Sequence, residues 1–260
     1  MFKGKNTIEI KSAEQLAIMR EAGLVVARTL ARVSEAVRPG VTTAQLDQIA
    51  ARSIESEGAT PSFLGYYGYP AHICTSVNGE VVHGIPGSRV LHEGDLVSVD
   101  CGAIVRGWHG DAAVSVPVGK VSADVAALSA ATEKSMWAGL AAARAGGRLS
   151  DISHAVETAI KAAGPYGIVE EYVGHGIGTS MHMHPPVPNY GAAGKGPVLK
   201  VGMALAIEPM ATLGRPDVHT LSDEWTVVTN DGACAAHWEH TVAVTEDGPW
   251  VLTALEDVRL

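Results

Sequence analysis

The fold is decided by GDLVSVDCGAIVRGWHGDAAVSVPVG, residues 94–119. In this stretch the apolar run LVSV leads into Asp100, and Asp111 leads into a second alternating run, AAVSV. Alternating apolar residues on both sides of a turn around 105–107 predict an antiparallel hairpin. Such a hairpin places the two aspartates nearly opposite each other, where like charges are destabilising unless a cation neutralises them.

The same chemical pattern occurs a second time in the chain, in the same order. Each half has a His-Gly-Ile tripeptide, then an acid six residues after a glycine, then an acid that opens a strand. In the first half these are residues 83–85, Asp100 and Asp111, and in the second half they are residues 175–177, Glu208 and Glu239. A single acid at a strand end is usually a cap or a turn residue, but capping gives no reason for paired acids to recur. The repetition predicts an internal duplication with an approximate two-fold axis, and acids from both halves that converge.

Helical segments precede the strands in both halves. Ser12 and Thr42 each stand three residues before a glutamine, which is the pattern of a capping box at the start of a helix. Ala-rich runs at 123–145 and 151–163 predict two further helices, separated by a pair of glycines. Strands are expected near 73–77, 96–101 and 112–116, and the Gly- and Pro-rich run 184–197 is expected to be a loop.

This order of elements predicts an α+β fold made of two halves, each with a helix pair followed by a sheet. We expect residues 1–11 to form a short N-terminal extension and residues 12–260 to form a single domain. Four buried carboxylates without compensation would cost more than the net stability of a domain, so two divalent cations are expected between them. Four acids and one imidazole are oxygen-rich ligands that suit Co, Fe, Mn or Zn.

Composition excludes several classes of function. The formal net charge of −9 and the absence of clustered Lys and Arg argue against nucleic-acid binding and against attraction to anionic membranes. No apolar run reaches the length of a membrane span, and the N-terminus has no signal-peptide core, so we expect a cytoplasmic protein. Three widely spaced cysteines predict no disulfide framework.

Five motifs together resemble the type I methionine aminopeptidases of the bacterial kind, which have the pita-bread fold. They are YYGYPAHICTSVNGEVVHGIPG, GDLVSVDCGAIVRGWHGDAAVSVPVG, YVGHGIGTSMH, GMALAIEPM and HWEHTVAVTEDG. The similarity extends from about Ser12 to Thr253. It implies an enzyme that removes the initiator methionine from nascent polypeptides with a small second residue, by two-metal hydrolysis of the first peptide bond.

The resemblance also implies a role for individual residues. The implied metal ligands, of which Asp111 and Glu239 would bridge the two ions, are Asp100, Asp111, His175, Glu208 and Glu239. His83 and His182 resemble the histidines that contact the substrate, and Glu208 would also transfer a proton. The implied pocket for the methionine side chain consists of Phe63, Tyr66, Tyr69, Cys74, Met181 and Trp225. Met181 stands where many relatives carry an aromatic residue.

The remaining histidines are expected to have no part in catalysis. Those assigned to exposed loop or helix positions are His72, His92, His154, His219 and His237. His109 and His240 flank two of the implied ligands, which leaves a supporting role open for both.

Two other interpretations remain open at this stage. X-Pro aminopeptidases and prolidases share the five-ligand pattern but usually carry a large additional N-terminal domain. A pita-bread interaction protein that has lost catalysis is the non-enzyme alternative, although all five ligands are present here. Nascent peptide N-termini are the expected partners and a monomer is the expected state, while the sequence leaves contact with the ribosome open.

Overall fold

A computed structural model describes residues 7–260. The first six residues of the predicted N-terminal extension lie outside this range. The helices are α1 (Ala13–Ala36), α2 (Thr43–Ser56), α3 (Ala123–Ala142) and α4 (Leu149–Ala163), with a 3-10 turn at Tyr66–Gly68. The strands are β1 (Thr60–Pro61), β2 (Ile73–Val77), β3 (Glu80–Val82), β4 (Leu96–Val105), β5 (Trp108–Pro117), β6 (Gly167–Ile168), β7 (Gly174–Gly176), β8 (Met183–Val187), β9 (Ala204–Ile207), β10 (Met210–Thr212), β11 (Val218–Thr220), β12 (Val227–Thr229), β13 (Ala235–His237), β14 (Glu239–Thr245), β15 (Gly248–Val251) and β16 (Val258–Arg259).

Both predicted capping boxes are confirmed. The Ser12 side chain accepts a hydrogen bond from the backbone N–H of Gln15, and the Gln15 side chain accepts one from the backbone of Ser12. Thr42 and Gln45 make the same reciprocal pair at the start of α2. These bonds satisfy donors that the first turn of a helix otherwise leaves without partners.

The second helix pair differs from the sequence prediction at its ends. Helix α3 stops at Ala142 rather than at 145, and α4 begins at Leu149 rather than at 151. The earlier start of α4 has a local cause, because the Asp151 carboxylate accepts a hydrogen bond from the backbone N–H of Arg148 at 2.7 Å. Because of this cap, the helix begins before residue 151, where the apolar periodicity of the sequence predicts its start.

Ten strands form the main sheet, whose central order is β1-β4-β5-β14-β9-β7-β8. Strand β2 pairs with β4, and β15 and β16 extend from β14. The two halves of the chain meet at the antiparallel pair β5–β14, where Glu239 lies opposite Ala113. The α+β class and the repeated order of a helix pair followed by strands are therefore confirmed.

Each helix pair covers its own half of the sheet. Helices α1 and α2 bury Val26, Leu46 and Ile54 against Val97 and Val99 of β4. A second apolar cluster joins α3 and α4 to strands β9 and β14 of the other half. The helices thus lie behind the sheet and fix the strands that carry the acids.

Two peripheral segments are more ordered than their composition indicates. The run 184–197 was expected to be a loop, but its start belongs to β8, which pairs with β7. Further along this run, the backbone N–H groups of Gly191 and Lys195 donate to side chains of α4. In the N-terminal segment, Lys11 donates its backbone N–H to Gly202, so the described part of the predicted extension contacts the body.

None of the helices in residues 7–260 combines the length and the apolar character that a membrane span requires.

Candidate metal centre

One acid or imidazole comes from each of five adjacent strands. The order across the sheet is Asp100 on β4, Asp111 on β5, Glu239 on β14, Glu208 directly after β9 and His175 on β7. The residues of β4 and β14 that face Ala113 of β5 are Asp100 and Glu239. Residues paired across neighbouring strands share a face of the sheet, so the five side chains project toward the same side.

The two aspartates of the hairpin are diagonal neighbours rather than direct partners. Asp100 lies opposite Ala113, and Asp111 lies opposite Gly102. The hairpin turns at Arg106 and Gly107, both at positive φ, and this two-residue turn sets a register two residues away from direct opposition. The expectation that the acids lie nearly opposite each other is therefore wrong in register, although both acids occupy one face.

Burial changes the ionisation of all four acids. It raises the pKa of Asp100 and the pKa of Glu208 to about 7. Burial, followed by the negative charges of neighbouring carboxylates, raises the pKa of Asp111 and the pKa of Glu239 well above the ordinary range. Positive charge within the group would favour the ionised form of these acids.

Unpaired carboxylate oxygens show that the site fits divalent cations. Oδ1 of Asp100, Oδ1 of Asp111 and Oε1 of Glu239 are buried and have no hydrogen-bond partner among residues 7–260. Ligand atoms of Asp111, His175 and Glu239 all lie within 4.8 Å of one another. Buried charges of this kind are stable in proteins when they are paired or when they coordinate a metal.

His175 has the tautomer that a metal ligand needs. Its Nδ1 lies 3.0 Å from the carbonyl oxygen of Gly176, an acceptor, so Nδ1 carries the proton. The free Nε2 lies 3.4 Å from Oε1 of Glu208 and 3.9 Å from Oδ2 of Asp111. A hydrogen bond on one ring nitrogen commonly orients the other toward a metal in this way.

The two histidines predicted to contact substrate lie at the same cavity. His182 stacks obliquely on His175 with ring centroids 4.3 Å apart, and its Nδ1 lies 2.9 Å from the hydroxyl of Tyr66. His83 has a left-handed backbone, with φ of 61°, and its ring stands edge-on to Tyr172 and Trp225. Burial lowers the pKa of His83 to about 4 and the pKa of His182 to about 2, so both rings are neutral at physiological pH.

The predicted methionine pocket is a continuous apolar cluster beside the acids. Buried members of this cluster are Phe63, Tyr69, Cys74 and Met181, with Tyr66 and Trp225 packed against them. Tyr69 stands edge-on to Trp225 at 5.0 Å between ring centroids and to Phe63 at 6.5 Å. All six line the same cavity, of about 320 Å³, as the four acids, His83, His175 and His182.

A family assignment follows from comparison with known proteins. The sequence profile of metallopeptidase family M24 matches residues 17–246. The chain belongs to metallopeptidase family M24. The M24 assignment confirms the enzyme class, and the buried group of Asp, His and Glu side chains is positioned to bind metal.

Relatives of this M24 chain include named enzymes of similar length. A methionine aminopeptidase 1 from Mycobacterium tuberculosis is 54% identical over 258 residues, which is 97% of this chain and 97% of that protein. The crystal structure of a methionine aminopeptidase from Thermotoga maritima superposes with a TM-score of 0.93 at 40% identity, covering 95% of this chain and all of that one. The resemblance to methionine aminopeptidases is confirmed.

A more distant likeness concerns the fold alone. A prolidase from Pyrococcus furiosus superposes with a TM-score of 0.77 at 22% identity, and the match covers 95% of this chain but 66% of the prolidase. Together with the closer relatives, it confirms the pita-bread fold of the M24 chain.

One functional candidate of the M24 site was missed by the sequence analysis. His237 was expected at an exposed position, but it is 1% exposed and lines the cavity. Its Nε2 lies 3.5 Å from Oε2 of Glu208. The signal was available, because His237 stands two residues before Glu239 and alternate residues of an extended segment share a face.

The other histidines behave largely as expected in this M24 structure. His92, His154 and His219 are exposed. His72 is half-buried, and its Nδ1 lies 2.9 Å from the Asp47 carboxylate. It therefore fixes the start of β2 rather than taking part in the site.

The two histidines that flank ligands differ in their connection to the site. His109 bonds to the hydroxyl of Ser62 at 3.0 Å. His240 bonds to the hydroxyl of Thr253, which accepts the backbone N–H of Thr241. The Thr241 hydroxyl then donates to the carbonyl oxygen of Asp111, so His240 supports that ligand through the backbone.

Proposed function

We propose that this M24 chain removes the N-terminal methionine from polypeptides whose second residue is small. The observation that carries the proposal is one cavity with two walls of different chemistry. One wall consists of the four carboxylates and the histidines, and the other consists of aromatic rings and the sulfur-containing side chains of Cys74 and Met181. A polarizable, apolar pocket suits a thioether side chain.

The proposed metal ligands are Asp100, Asp111, His175, Glu208 and Glu239. Strand order supports Asp111 and Glu239 as the bridging pair, because they come from the central strands β5 and β14. Asp100 lies outward of them on one side, and Glu208 and His175 lie outward on the other. With this division, each of two cations would have its own ligands, and Asp111 and Glu239 would be shared.

Mixed oxygen and imidazole donors admit Co, Fe, Mn or Zn. When bound, two such cations supply Lewis-acid chemistry, which polarises a carbonyl group and lowers the pKa of water.

The chain's own groups would move the protons of the reaction. Glu208 is 13% exposed at the cavity, so its carboxylate can reach substrate and is placed to accept and return a proton. His182 is placed to donate a hydrogen bond to the carbonyl oxygen of the scissile bond. His83, between Tyr172 and Trp225, would contact the amide nitrogen of the leaving peptide.

Residues 12–260 act as one catalytic domain preceded by a short extension at 1–11. Nascent peptide N-termini in the cytoplasm are the substrates, and the chain acts as a monomer. Contact with the ribosome would bring it close to those substrates as they emerge.

A peptide assay separates the proposal from both alternatives. Purified chain with added Mn(II), Fe(II), Co(II) or Zn(II) is offered Met-Ala-Ser, Met-Phe-Ser and Ala-Pro-Ser. We expect Met-Ala-Ser to be cleaved fastest and Met-Phe-Ser slowly, because the second residue must be small. Preferential cleavage of Ala-Pro-Ser would instead indicate an X-Pro peptidase, and folded, metal-loaded protein without any activity would indicate a binding module.

A further inference from the structure

The imidazole of His237 has a buried nitrogen with no assigned role. The side chain is 2% exposed, and Nε2 has no hydrogen-bond partner among residues 7–260. An unsatisfied buried polar atom costs free energy, so native proteins seldom retain one without a further ligand. This nitrogen lies 3.5 Å from Oε2 of Glu208.

Two serines of the neighbouring strands hold the backbone of His237 in place. The N–H of His237 donates to Oγ of Ser115 at 3.0 Å and to Oγ of Ser98 at 3.3 Å. The Ser115 hydroxyl lies 2.9 Å from the carbonyl oxygen of His237, and the two serine hydroxyls are 2.8 Å apart. This buried network connects β13 to the strands that carry Asp100 and Asp111, so the backbone of His237 is fixed relative to the acids.

Glu208 stands between two imidazoles. Its Oε1 lies 3.4 Å from Nε2 of His175, and its Oε2 lies 3.5 Å from Nε2 of His237. Donor atoms of Glu208, His237 and Glu239 all lie within 4.8 Å of one another, as do those of Asp111, His175 and Glu239. The two donor groups share Glu239, and each contains one imidazole.

We propose that His237 is a sixth metal ligand, which binds a divalent cation through Nε2 together with Glu208 and Glu239. This inference rests on the metal centre of the proposed function and extends its ligand set. The neutral imidazole needs no proton removed from Nε2 when Nδ1 carries the ring proton. A second nitrogen donor also changes metal preference, because imidazole suits Zn, Cu, Fe and Ni, whereas carboxylate oxygens suit Mn.

The direct test counts imidazoles around the metal. Extended X-ray absorption fine structure of the fully Co(II)-loaded chain is expected to show two imidazoles per chain in the wild type and one in His237→Ala. His83→Ala is the matched control, because His83 lines the same cavity but belongs to neither donor group. Its count is expected to remain two. A wild-type count of one, or an unchanged count in His237→Ala, would overturn the inference.

Metal titration separates this inference from the proposed function. Calorimetric titration with Co(II) should give two ions per chain in the wild type and affinity for one ion at least about tenfold weaker in His237→Ala. Two ions with unchanged affinity in the variant would overturn the sixth ligand and leave the proposed function standing. A wild-type chain that binds no ion would overturn both.

A second variant protects the test from a folding defect. His237→Gln retains a polar side chain of similar length, so it is expected to fold where the alanine variant does not. Its amide offers an oxygen in place of the ring nitrogen, and the imidazole count is expected to fall to one. The ratio of Mn(II) to Co(II) affinity should rise relative to the wild type, whereas an unchanged ratio with two imidazoles would contradict the assignment.

Discussion

The hydroxyl of Tyr66 lies 2.9 Å from Nδ1 of His182. Burial raises the pKa of Tyr66 to about 12, so the hydroxyl keeps its proton at neutral pH. The ring of His182 is neutral and carries a single proton. When Tyr66 donates to Nδ1, that proton resides on Nε2, the nitrogen left to donate to a substrate carbonyl. Tyr66 therefore does more than line the methionine pocket.

Removing this hydroxyl tests its effect on His182. We expect Tyr66→Phe to lower kcat for Met-Ala-Ser by about tenfold or more and to change KM little, because the oxyanion donor loses its preferred tautomer. Tyr166→Phe is the control, since Tyr166 packs on the α3–α4 core away from the cavity. An unchanged kcat in Tyr66→Phe, or a rise confined to KM, would indicate that Tyr66 only lines the methionine pocket and does not affect His182.

Asp100 and His83 should separate metal binding from catalysis. Asp100→Ala is expected to lower metal content and activity together, because it removes a carboxylate from the proposed ligand set. His83→Asn is expected to keep both metals and lower kcat, and asparagine tolerates the left-handed backbone at this position. Elemental analysis checks both variants. Full metal occupancy in Asp100→Ala would contradict the assignment of Asp100 as a ligand.

Asp100 should make the metal-free wild type lose stability relative to the variant Asp100→Asn as pH rises from about 5 to 7. The pKa of Asp100 is near 7 in the fold, above its unfolded value, so the folded state holds a proton in this window that the unfolded state has released. The stability contributed by that proton is complete below the unfolded pKa and falls by about 1.4 kcal/mol per pH unit until the pH passes the folded pKa. Above pH 7 the carboxyl group is ionised in both states and adds no further slope.

Chemical denaturation of the metal-free wild type and of Asp100→Asn, which cannot ionise at this position, between pH 5 and 8 measures this difference. The buried histidines add a slope of the opposite sign, since their lowered pKa values make the unfolded state bind more protons, but they do so in both chains. Saturating metal should remove the pH dependence that Asp100 contributes, because bound cations favour the ionised carboxylates. A stability difference between the two chains that stays constant from pH 5 to 7 would contradict the account.

Met181 offers a test of the methionine pocket. It is 3% exposed and packs within the cluster of Phe63, Tyr69 and Cys74. Met181→Ala removes apolar contact with the substrate side chain, and we expect KM for Met-Ala-Ser to rise about tenfold or more. Met203→Ala is the matched control, because Met203 is 2% exposed in the α3–α4 core. It should lower stability without raising KM, and an equal rise in both variants would count against the pocket.

The duplicated pattern of acids predicted that the four carboxylates lie together, because this pattern follows from strand periodicity. Asp100, Asp111, Glu208 and Glu239 each adjoin an apolar strand, and the alternation of a strand fixes the face on which a side chain lies. What the pattern left open was register. The diagonal placement of Asp100 and Asp111 depends on the two-residue turn at Arg106 and Gly107, which the sequence located only to within a residue or two.

Contacts between segments distant in the chain were not predictable in the same way. Strand alternation places His237 on the same face as Glu239, but the backbone bonds that hold it there come from Ser98 and Ser115, more than 120 residues earlier. The bond between Tyr66 and His182 spans 116 residues and left no periodic signal. The predicted start of α4 was wrong for a local reason, since the side chain of Asp151 within the helix accepts the backbone N–H of Arg148 and the helix starts earlier than the apolar spacing indicates.

The most direct test of the central claim is the number of divalent cations that the chain binds when the two central acids are removed. Calorimetric titration with Co(II), checked by elemental analysis, should give two ions per chain for the wild type. It should give none of comparable affinity for the folded double variant Asp111→Asn, Glu239→Gln, because both ions are proposed to share those carboxylates. Two ions bound to the double variant with wild-type affinity would contradict the account.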